Sequence, residues 1–224
     1  MDWFPLINSL RIAAISTAAI FLLGIWLADA VAKLPRAWKA LADVVLTLPL
    51  VLPPTVVGFL LLMALGPRRP LGAWVLETFG VRLTMVWYAA VFAGIIVAFP
   101  LMYRTARGAF EGFDGDLADA ARTLGRSEAW IFWHVKLPTC RSSLIAGAVL
   151  SFARALGEYG ATSMVAGYTP GVTATVSTTV YQLWQIGQDE LALRWVLVNI
   201  AISAVALFAL NWLEGREREG RRRR

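Results

Sequence analysis

Few side chains in this sequence could carry out catalysis. The 224 residues include a single histidine, His134, and a single cysteine, Cys140. They therefore offer no cluster of metal ligands, no Ser-His-Asp or Cys-His arrangement, and no partner for a disulfide within the chain. A Gly-x-x-x-x-Gly-Lys-Ser/Thr phosphate loop is also missing from the sequence. We expect that this chain has no catalytic residue, binds no metal and does not hydrolyse ATP by itself.

Two ionisable residues, Arg154 and Glu158, lie inside an apolar segment. They are four positions apart, so on a helix they share a face and can form an ion pair. Charges within a membrane are costly when unpaired and usually face the interior of a helix bundle. Gly157 and Gly160 allow close approach of another helix or local unwinding. Two interpretations stay open, a structural ion pair and a direct role in a translocation path.

The composition indicates an integral membrane protein. Hydrophobic residues make up 58% of the chain and charged residues 16%, a balance too apolar for an ordinary soluble domain. We expect a single all-α domain with about five transmembrane helices. The predicted spans lie near residues 10–31, 41–65, 83–104, 143–165 and 195–213. A polar outer loop, 66–82, is expected between the second and third spans.

The first apolar run has the alternative interpretation of a signal peptide. Ala28-Asp29-Ala30 has the small-x-small form of a cleavage site. However, the run is longer than a usual signal core, only Arg11 precedes it, and the positive charges follow it. These features favour a retained helix.

The distribution of positive charge predicts the topology. Of 21 Lys and Arg residues, 15 fall on one side of the predicted spans, five fall on the other, and Arg154 lies within a span. The side with 15 holds the loop 105–142 and the tail after residue 214, and the positive-inside rule makes it cytoplasmic. The N-terminus is then outside and the C-terminus inside. The net charge of +6 thus indicates a topology anchor near anionic lipid and no nucleic-acid binding.

The second predicted span contains Pro49, Pro53, Pro54 and Gly58. Proline removes a backbone donor and breaks the helical hydrogen-bond ladder. In a membrane such breaks persist only where protein or a water-filled cavity satisfies the freed carbonyls. The segment is therefore predicted to line a path or its gate. A kinked structural helix without contact to a pore is the alternative.

The loop 105–142 carries a spacing that occurs once in the sequence. It reads Asp119-Ala120-Ala121, three residues, Gly125, nine residues, Val135, one residue, Leu137-Pro138. The alanines are strong helix formers that let a short helix lie close to another protein surface. Gly125 allows a sharp turn where that helix ends. We expect two short helices joined at Gly125 in a compact knob; helices lying on the lipid surface are the alternative.

This spacing resembles the cytoplasmic coupling loop in membrane subunits of ATP-binding-cassette (ABC) importers. The family pattern is Glu-Ala-Ala, three residues, Gly, nine residues, Ile, one residue, Leu-Pro, so Asp119 and Val135 are conservative departures. Two further stretches, 48–58 and 152–162, resemble the molybdate permeases of this family. The resemblance covers residues 40–185 in order, and sulfate and tungstate permeases share parts of it.

The resemblance implies a type I ABC importer fold, with transport of molybdate, or alternatively tungstate or sulfate, by alternating access. It implies a homodimer of this chain in a bacterial or archaeal cell membrane, two separate ATPase subunits that bind ATP and Mg, and a soluble periplasmic or extracellular binding protein. No cofactor is expected on this chain. The residues expected to contact the ATPase subunits are Asp119, Ala120, Ala121, Gly125, Val135, Leu137 and Pro138. For the path we expect hydroxyls and backbone amides to replace hydration of the anion, with Thr55, Thr162 and Ser163 as candidates.

Residues 171–188 are rich in Thr and Gln, yet five apolar residues fall at helical spacing, namely Val172, Val176, Val180, Leu183 and Trp184. We expect an external amphipathic segment at which a binding protein can dock; a re-entrant or sixth helix is the alternative.

Two other functions compete with an importer. A secondary transporter or channel would leave the spacing from Asp119 to Pro138 unexplained. A membrane enzyme is disfavoured because only Arg154 and Glu158 are ionisable deep in the apolar segments.

Overall fold

The computed structural model describes the backbone of residues 2–222 and the side chains of residues 2–208. The described residues form eleven α-helices and one π-helical turn, which confirms the all-α prediction. The side chains of the basic tail, and residues 223 and 224 altogether, lie outside the described residues. The helices are α1 Phe4–Ala32, α2 Arg36–Val51, α3 Pro54–Leu65, α4 Pro70–Phe79, α5 Trp87–Glu111, α6 Gly115–Thr123, α7 Glu128–Ile131, α8 Leu137–Leu156, α9 Gly160–Val165, α10 Val176–Gln185 and α11 Asp189–Arg222.

The central packing unit consists of α1, α5 and α8. Ile20 of α1, Met102 of α5 and Leu144 of α8 are buried in one apolar cluster. Glycine lets the helices approach closely at this point. A Cβ on Gly24 would lie 2.7 Å from Met102 Cγ, and a Cβ on Gly147 would lie 2.9 Å from its Sδ. Packing by small residues is the usual way in which helices associate in a membrane.

Three helical segments, Phe4–Ala32, Trp87–Glu111 and Asp189–Phe208, are each long and apolar enough to cross a membrane. The pair α2 and α3 adds a fourth candidate, but its two halves meet at an angle of 110°. The segment 41–65 is thus no straight helix. Leu52 is extended between them, since Pro53 and Pro54 disfavour helical geometry before them and supply no N–H.

The predicted span 143–165 is also divided. It begins inside α8, which ends at Leu156, and continues after a break in the six-residue helix α9. Pro138 is accommodated in the first turn of α8, where proline leaves no lost hydrogen bond.

The connection between α5 and α8 is shorter than the predicted loop 105–142. Helix α5 continues to Glu111 and α8 begins at Leu137, since helix-forming residues extend beyond the apolar runs at both ends. The predicted outer loop 66–82 also contains a helix, α4, which ends at Gly80 in the left-handed conformation with φ 67°. A helix with exposed Trp74 and Phe79 there is suited to the membrane surface.

Candidate coupling and translocation sites

The knob between α5 and α8 is built from α6, α7 and the turn between them. After α6, Gly125 has φ +73°. Its N–H donates to the carbonyl of Arg122 at 2.9 Å, and the N–H of Arg126 donates to the carbonyl of Ala121 at 3.2 Å. This pair of bonds is a Schellman turn, which reverses the chain and satisfies the last carbonyls of the helix. Ser127 then caps α7 by accepting from the N–H of Trp130 at 3.3 Å.

The alanines of α6 do not all face the same way. Ala118 and Ala121, three positions apart on one face, are buried against Ile131 of α7. Asp119 and Ala120 are exposed on the opposite side. Ala120 is therefore accessible to a partner, whereas Ala121 packs inside the knob.

Two leucines that the spacing did not single out share the outer surface of the knob. Leu117 is 45% exposed and Leu124 is 78% exposed, although each is a large apolar side chain. Exposed apolar residues beside small ones are typical of a protein contact surface. An amphipathic projection of α6 would have revealed Leu117, but the orientation of Leu124 depends on the turn at Gly125.

An exposed ion network ties the two helices of the knob together. Arg122 Nε donates to Glu128 Oε1 at 2.6 Å and Nη2 donates to Oε2 at 3.1 Å, a two-pronged contact. The same guanidinium also donates to Asp119. These hydrogen bonds lower the pKa of the Glu128 carboxyl and raise the pKa of Arg122. Because the groups are exposed to water, the network orients the knob more than it stabilises it.

The base of the knob is attached to α1. A π-helical turn, Phe132–Lys136, leads from α7 into α8, and such turns often occur at functional sites. Lys136 Nζ donates to Asp29 Oδ1 of α1 at 2.6 Å. Of the last predicted coupling residues, Val135 packs on the knob cluster and Leu137 packs on the central core, while Pro138 is exposed.

The two broken segments lie against each other. A Cβ on Gly58 of α3 would lie 2.7 Å from Ala161 Cα of α9. A Cβ on Gly160 would lie 2.9 Å from Pro54 Cβ and 3.1 Å from the amide nitrogen of Thr55. Side chains larger than hydrogen would push the segments apart at both places. The structure thus brings together two breaks that are about a hundred residues apart in the sequence.

Arg154 and Glu158 lie at the second break. Arg154 Nη1 is 2.7 Å from Glu158 Oε2, an ion-pair contact without hydrogen-bond geometry, since Oε2 accepts no hydrogen bond among the described residues. Oε1 accepts from the N–H of Ala161 at 2.8 Å. Glu158 is 3% exposed, whereas the Arg154 side chain is 32% exposed. Glu158 therefore anchors the start of α9, and Arg154 balances its charge.

The residues predicted to line a path have different surroundings. Thr55 is exposed at the start of α3. Thr162 is only 2% exposed within this chain. Ser163 is half-buried, and its hydroxyl donates to the carbonyl of Gly160 at 3.0 Å. Pro49 lies within α2, before the bend. Of the three hydroxyls, that of Thr55 is the most accessible from outside the chain.

An aromatic cluster at the second break was not predicted. The rings of Tyr159 and Tyr181 lie 5.1 Å apart, and those of Tyr181 and Trp184 lie 5.8 Å apart. The cluster joins the break to α10, within the segment 171–188. The local sequence pattern does not predict this contact, because it depends on how α10 folds back against the break that precedes α9.

In the described part of the chain, no group of three or more His, Cys, Asp or Glu side chains could hold a metal ion.

Two adjoining broken helices and a helical knob, in a helical membrane protein, are consistent with the membrane-spanning subunit of a transport system. The chain belongs to the family of binding-protein-dependent transport system inner membrane components, whose sequence pattern matches residues 20–219. It is accordingly a multi-pass protein of the cell membrane, and the membrane component of a system that includes a binding protein.

Similar proteins include two that are named for molybdenum transport. The chain is 39% identical over 223 residues to the Molybdenum transport system permease protein ModB of Escherichia coli, covering 98% of this chain and 97% of that protein. It is 39% identical over 207 residues to a putative molybdenum transport system permease protein of Bacillus subtilis, covering 92% of this chain and 91% of the other. The Sulfate transport system permease protein CysW of Synechococcus elongatus is 33% identical, covering 93% of this chain and 72% of that protein.

Solved structures with the same fold are importer components. The fold matches a chain of the MetNI methionine ABC transporter in an inward-facing conformation with a TM-score of 0.73, at 14% identity, covering 96% of this chain and 99% of the other. It matches a bacterial alginate ABC transporter, in complex with its alginate-bound periplasmic protein, with a TM-score of 0.72 at 16% identity, covering 93% and 76%. These likenesses confirm the type I importer fold.

Proposed function

We propose that two copies of this chain form the translocation path of an ATP-driven importer that carries molybdate into the cell. The observation that carries this proposal is the 39% identity, over 98% of the chain, to a molybdenum transport permease. Tungstate import is the nearest alternative, because tungstate is a tetrahedral dianion of similar shape. Sulfate import is supported less, since the sulfate permease relative is 33% identical.

In this proposal the knob receives the mechanical input. Separate ATPase subunits bind ATP and Mg, and their closure moves the two knobs of a homodimer toward each other. The outer surface of α6, with Asp119, Ala120 and Leu124, supplies the contact. Because α6 and α7 are joined by the Schellman turn and by the contacts of Arg122, they can move as one unit.

The adjoining breaks act as the gate. Amides freed by the breaks and the hydroxyl of Thr55 can replace the hydration of an oxyanion without a formal positive charge. Glu158 would repel an anion, but Arg154 and the N–H of Ala161 already engage its carboxylate. The ion pair therefore positions α9 and acts on the anion only indirectly.

The experiment is ATP hydrolysis and uptake in proteoliposomes that contain this chain, its ATPase subunit and its binding protein. Molybdate, tungstate and sulfate are supplied in turn. Stimulation and uptake with molybdate or tungstate, and not with sulfate, would support the proposal, and the ratio of the two uptake rates would name the preferred anion. An intact complex that sulfate alone stimulates would overturn the molybdate assignment, and stimulation by none of the three would overturn the oxyanion class.

A further inference from the structure

Five polar side chains join α2 to the cytoplasmic end of α5. Tyr103 donates to Asp43 Oδ1 at 2.5 Å, and Arg107 donates to the same oxygen. Arg107 Nη2 donates to Glu111 Oε1 at 3.1 Å, and Lys39 Nζ lies 2.8 Å from that atom. Two residues of α2 are thus bound by three residues of α5, about sixty residues further along the chain.

Apolar packing contributes little to the position of α2. The structure describes every residue of this helix, and none of them is fully buried. Ala42 and Leu46 are partly buried against the central core, while Val44, Val45 and Leu48 are exposed. Buried apolar area is the main source of packing energy, so the polar cluster carries much of the attachment of α2 within this chain.

The cluster lies between the knob and the gate. Helix α5 ends at Glu111, four residues before α6 begins. Helix α2 leads directly to the bend at Leu52 and so to α3, whose Gly58 touches α9. A displacement of the knob reaches the base of α5 first, and the cluster is the point at which it can pass to α2.

We propose that Lys39, Asp43, Tyr103, Arg107 and Glu111 form the mechanical link that makes the broken pair of α2 and α3 follow the knob. They are positioning residues for transport and contact neither the anion nor ATP. This inference rests on the proposed function, because it takes the knob to be the site where the ATPase subunits act.

Two features favour a link over a binding site. A cavity of about 300 Å³ beside the cluster is bordered by two carboxylates, Asp43 and Glu111, and by two guanidiniums, Arg104 and Arg107, so its lining has no net charge that would select an ion. In addition, Arg107 Nε is buried without a hydrogen-bond partner in the part of the chain that the structure describes. The other two nitrogens of the same guanidinium each donate to a carboxylate, Nη1 to Asp43 and Nη2 to Glu111, so Arg107 is used as a contact between the helices.

The first test compares uptake per ATP hydrolysed in the reconstituted complex. Asp43→Ala removes the shared acceptor, and Tyr103→Phe removes only one hydroxyl from a buried ring. Glu190→Ala is the matched control, because it removes a carboxylate from the exposed Glu190–Arg194 ion pair at the start of α11. We expect uptake per ATP to fall by roughly tenfold in Asp43→Ala, the factor that the loss of one charged hydrogen bond can produce. The control should match the wild type.

A double-mutant cycle separates a link from general destabilisation. If Asp43 and Tyr103 act through their hydrogen bond, the double variant should lose no more than Asp43→Ala alone. Assembled complexes in which both single variants keep wild-type uptake per ATP would overturn the inference. Additive losses in the double variant would also overturn it.

The second test does not depend on the identity of the transported anion. Spin labels are placed at Ala40 and Gly108, which are exposed, in a Cys140→Ser background with the ATPase subunits bound. The labelled chain is diluted with unlabelled chain, so that most complexes contain one labelled copy. In the otherwise unchanged chain we expect one narrow distance with and without ATP. In the Asp43→Ala variant we expect a broader distribution that shifts on addition of ATP.

The two tests also distinguish the failure of this inference from that of the proposed function. A wild-type complex that imports none of the three oxyanions but shows the expected spin-label distances would refute the proposed substrate and support the link. Unchanged distances in the Asp43→Ala variant, in a complex that transports normally, would refute the link alone.

Discussion

Gly58→Ala should damage the gate although it adds a single methyl group to a helix. The new Cβ would lie 2.7 Å from Ala161 Cα and 2.9 Å from Met164 Cβ. Carbon atoms prefer separations of about 3.5–4.0 Å, so α3 and α9 must move apart by roughly 1 Å. Overpacking of this kind costs about 1–3 kcal/mol. The higher helix propensity of alanine offsets up to about 1 kcal/mol of this cost.

The matched control is Gly108→Ala in α5, since a Cβ there meets no atom within 4 Å. It receives the same gain in helix propensity without the clash. Unfolding by denaturant in mixed micelles should therefore place Gly58→Ala about 1–3 kcal/mol below Gly108→Ala. Uptake in proteoliposomes should fall only in Gly58→Ala. Equal stability and equal uptake in the two variants would refute the assignment of Gly58 to a tight contact between the breaks.

Three further outcomes follow from the site. Glu158→Ala should destabilise the chain by about 1–3 kcal/mol, because it leaves the buried N–H of Ala161 without its acceptor. Glu158→Gln, which retains an acceptor for Ala161, should cost less in the same unfolding assay, and equal losses would contradict the capping role. Gly125→Ala should weaken co-purification of the ATPase subunits, because a left-handed conformation costs an L-residue about 1–2 kcal/mol. Gly125→Asn should reduce co-purification less. A wild-type amount of co-purified ATPase subunit with Gly125→Ala would contradict the need for this turn. Ala120→Trp should abolish co-purification while leaving the unfolding free energy unchanged, and a stable, fully assembled variant would exclude Ala120 from the contact surface.

The features that the sequence predicted well are those that depend on a residue and its immediate neighbours. Pro53 and Pro54 break a helix wherever they stand, because they lack an N–H and restrict the residue before them. Gly125 adopts a positive φ at the end of a short helix for an equally local reason. The break between α2 and α3 and the turn of the knob were therefore predictable from the sequence without a fold.

The features that sequence reasoning missed depend on which distant segments meet. Whether Ala120 or Ala121 faces outward depends on where α7 packs after the turn. The partner of Gly58 lies about a hundred residues further along the sequence, and the partner of Asp43 lies about sixty residues further along. A polar residue such as Asp43 in a half-apolar helix has no local pattern that distinguishes a lipid-side position from a contact with α5.

The attachments of the gate suggest why both breaks can respond to one input. Helix α8 leads from the second break directly to the knob, through the π-helical turn that Lys136 and Asp29 hold against α1. Helix α2 has no such covalent route to the knob, since α5 and the outer loop lie between them in the chain. It contacts the end of α5 that leads into the knob, through the cluster at Asp43. If the second break moved with α8 while α2 stayed behind, the contact between Gly58 and α9 would be lost rather than re-formed in a second arrangement. A gate made of two adjoining breaks therefore needs a non-covalent connection on the α2 side, and a polar cluster can exchange hydrogen-bond partners without exposing an apolar core.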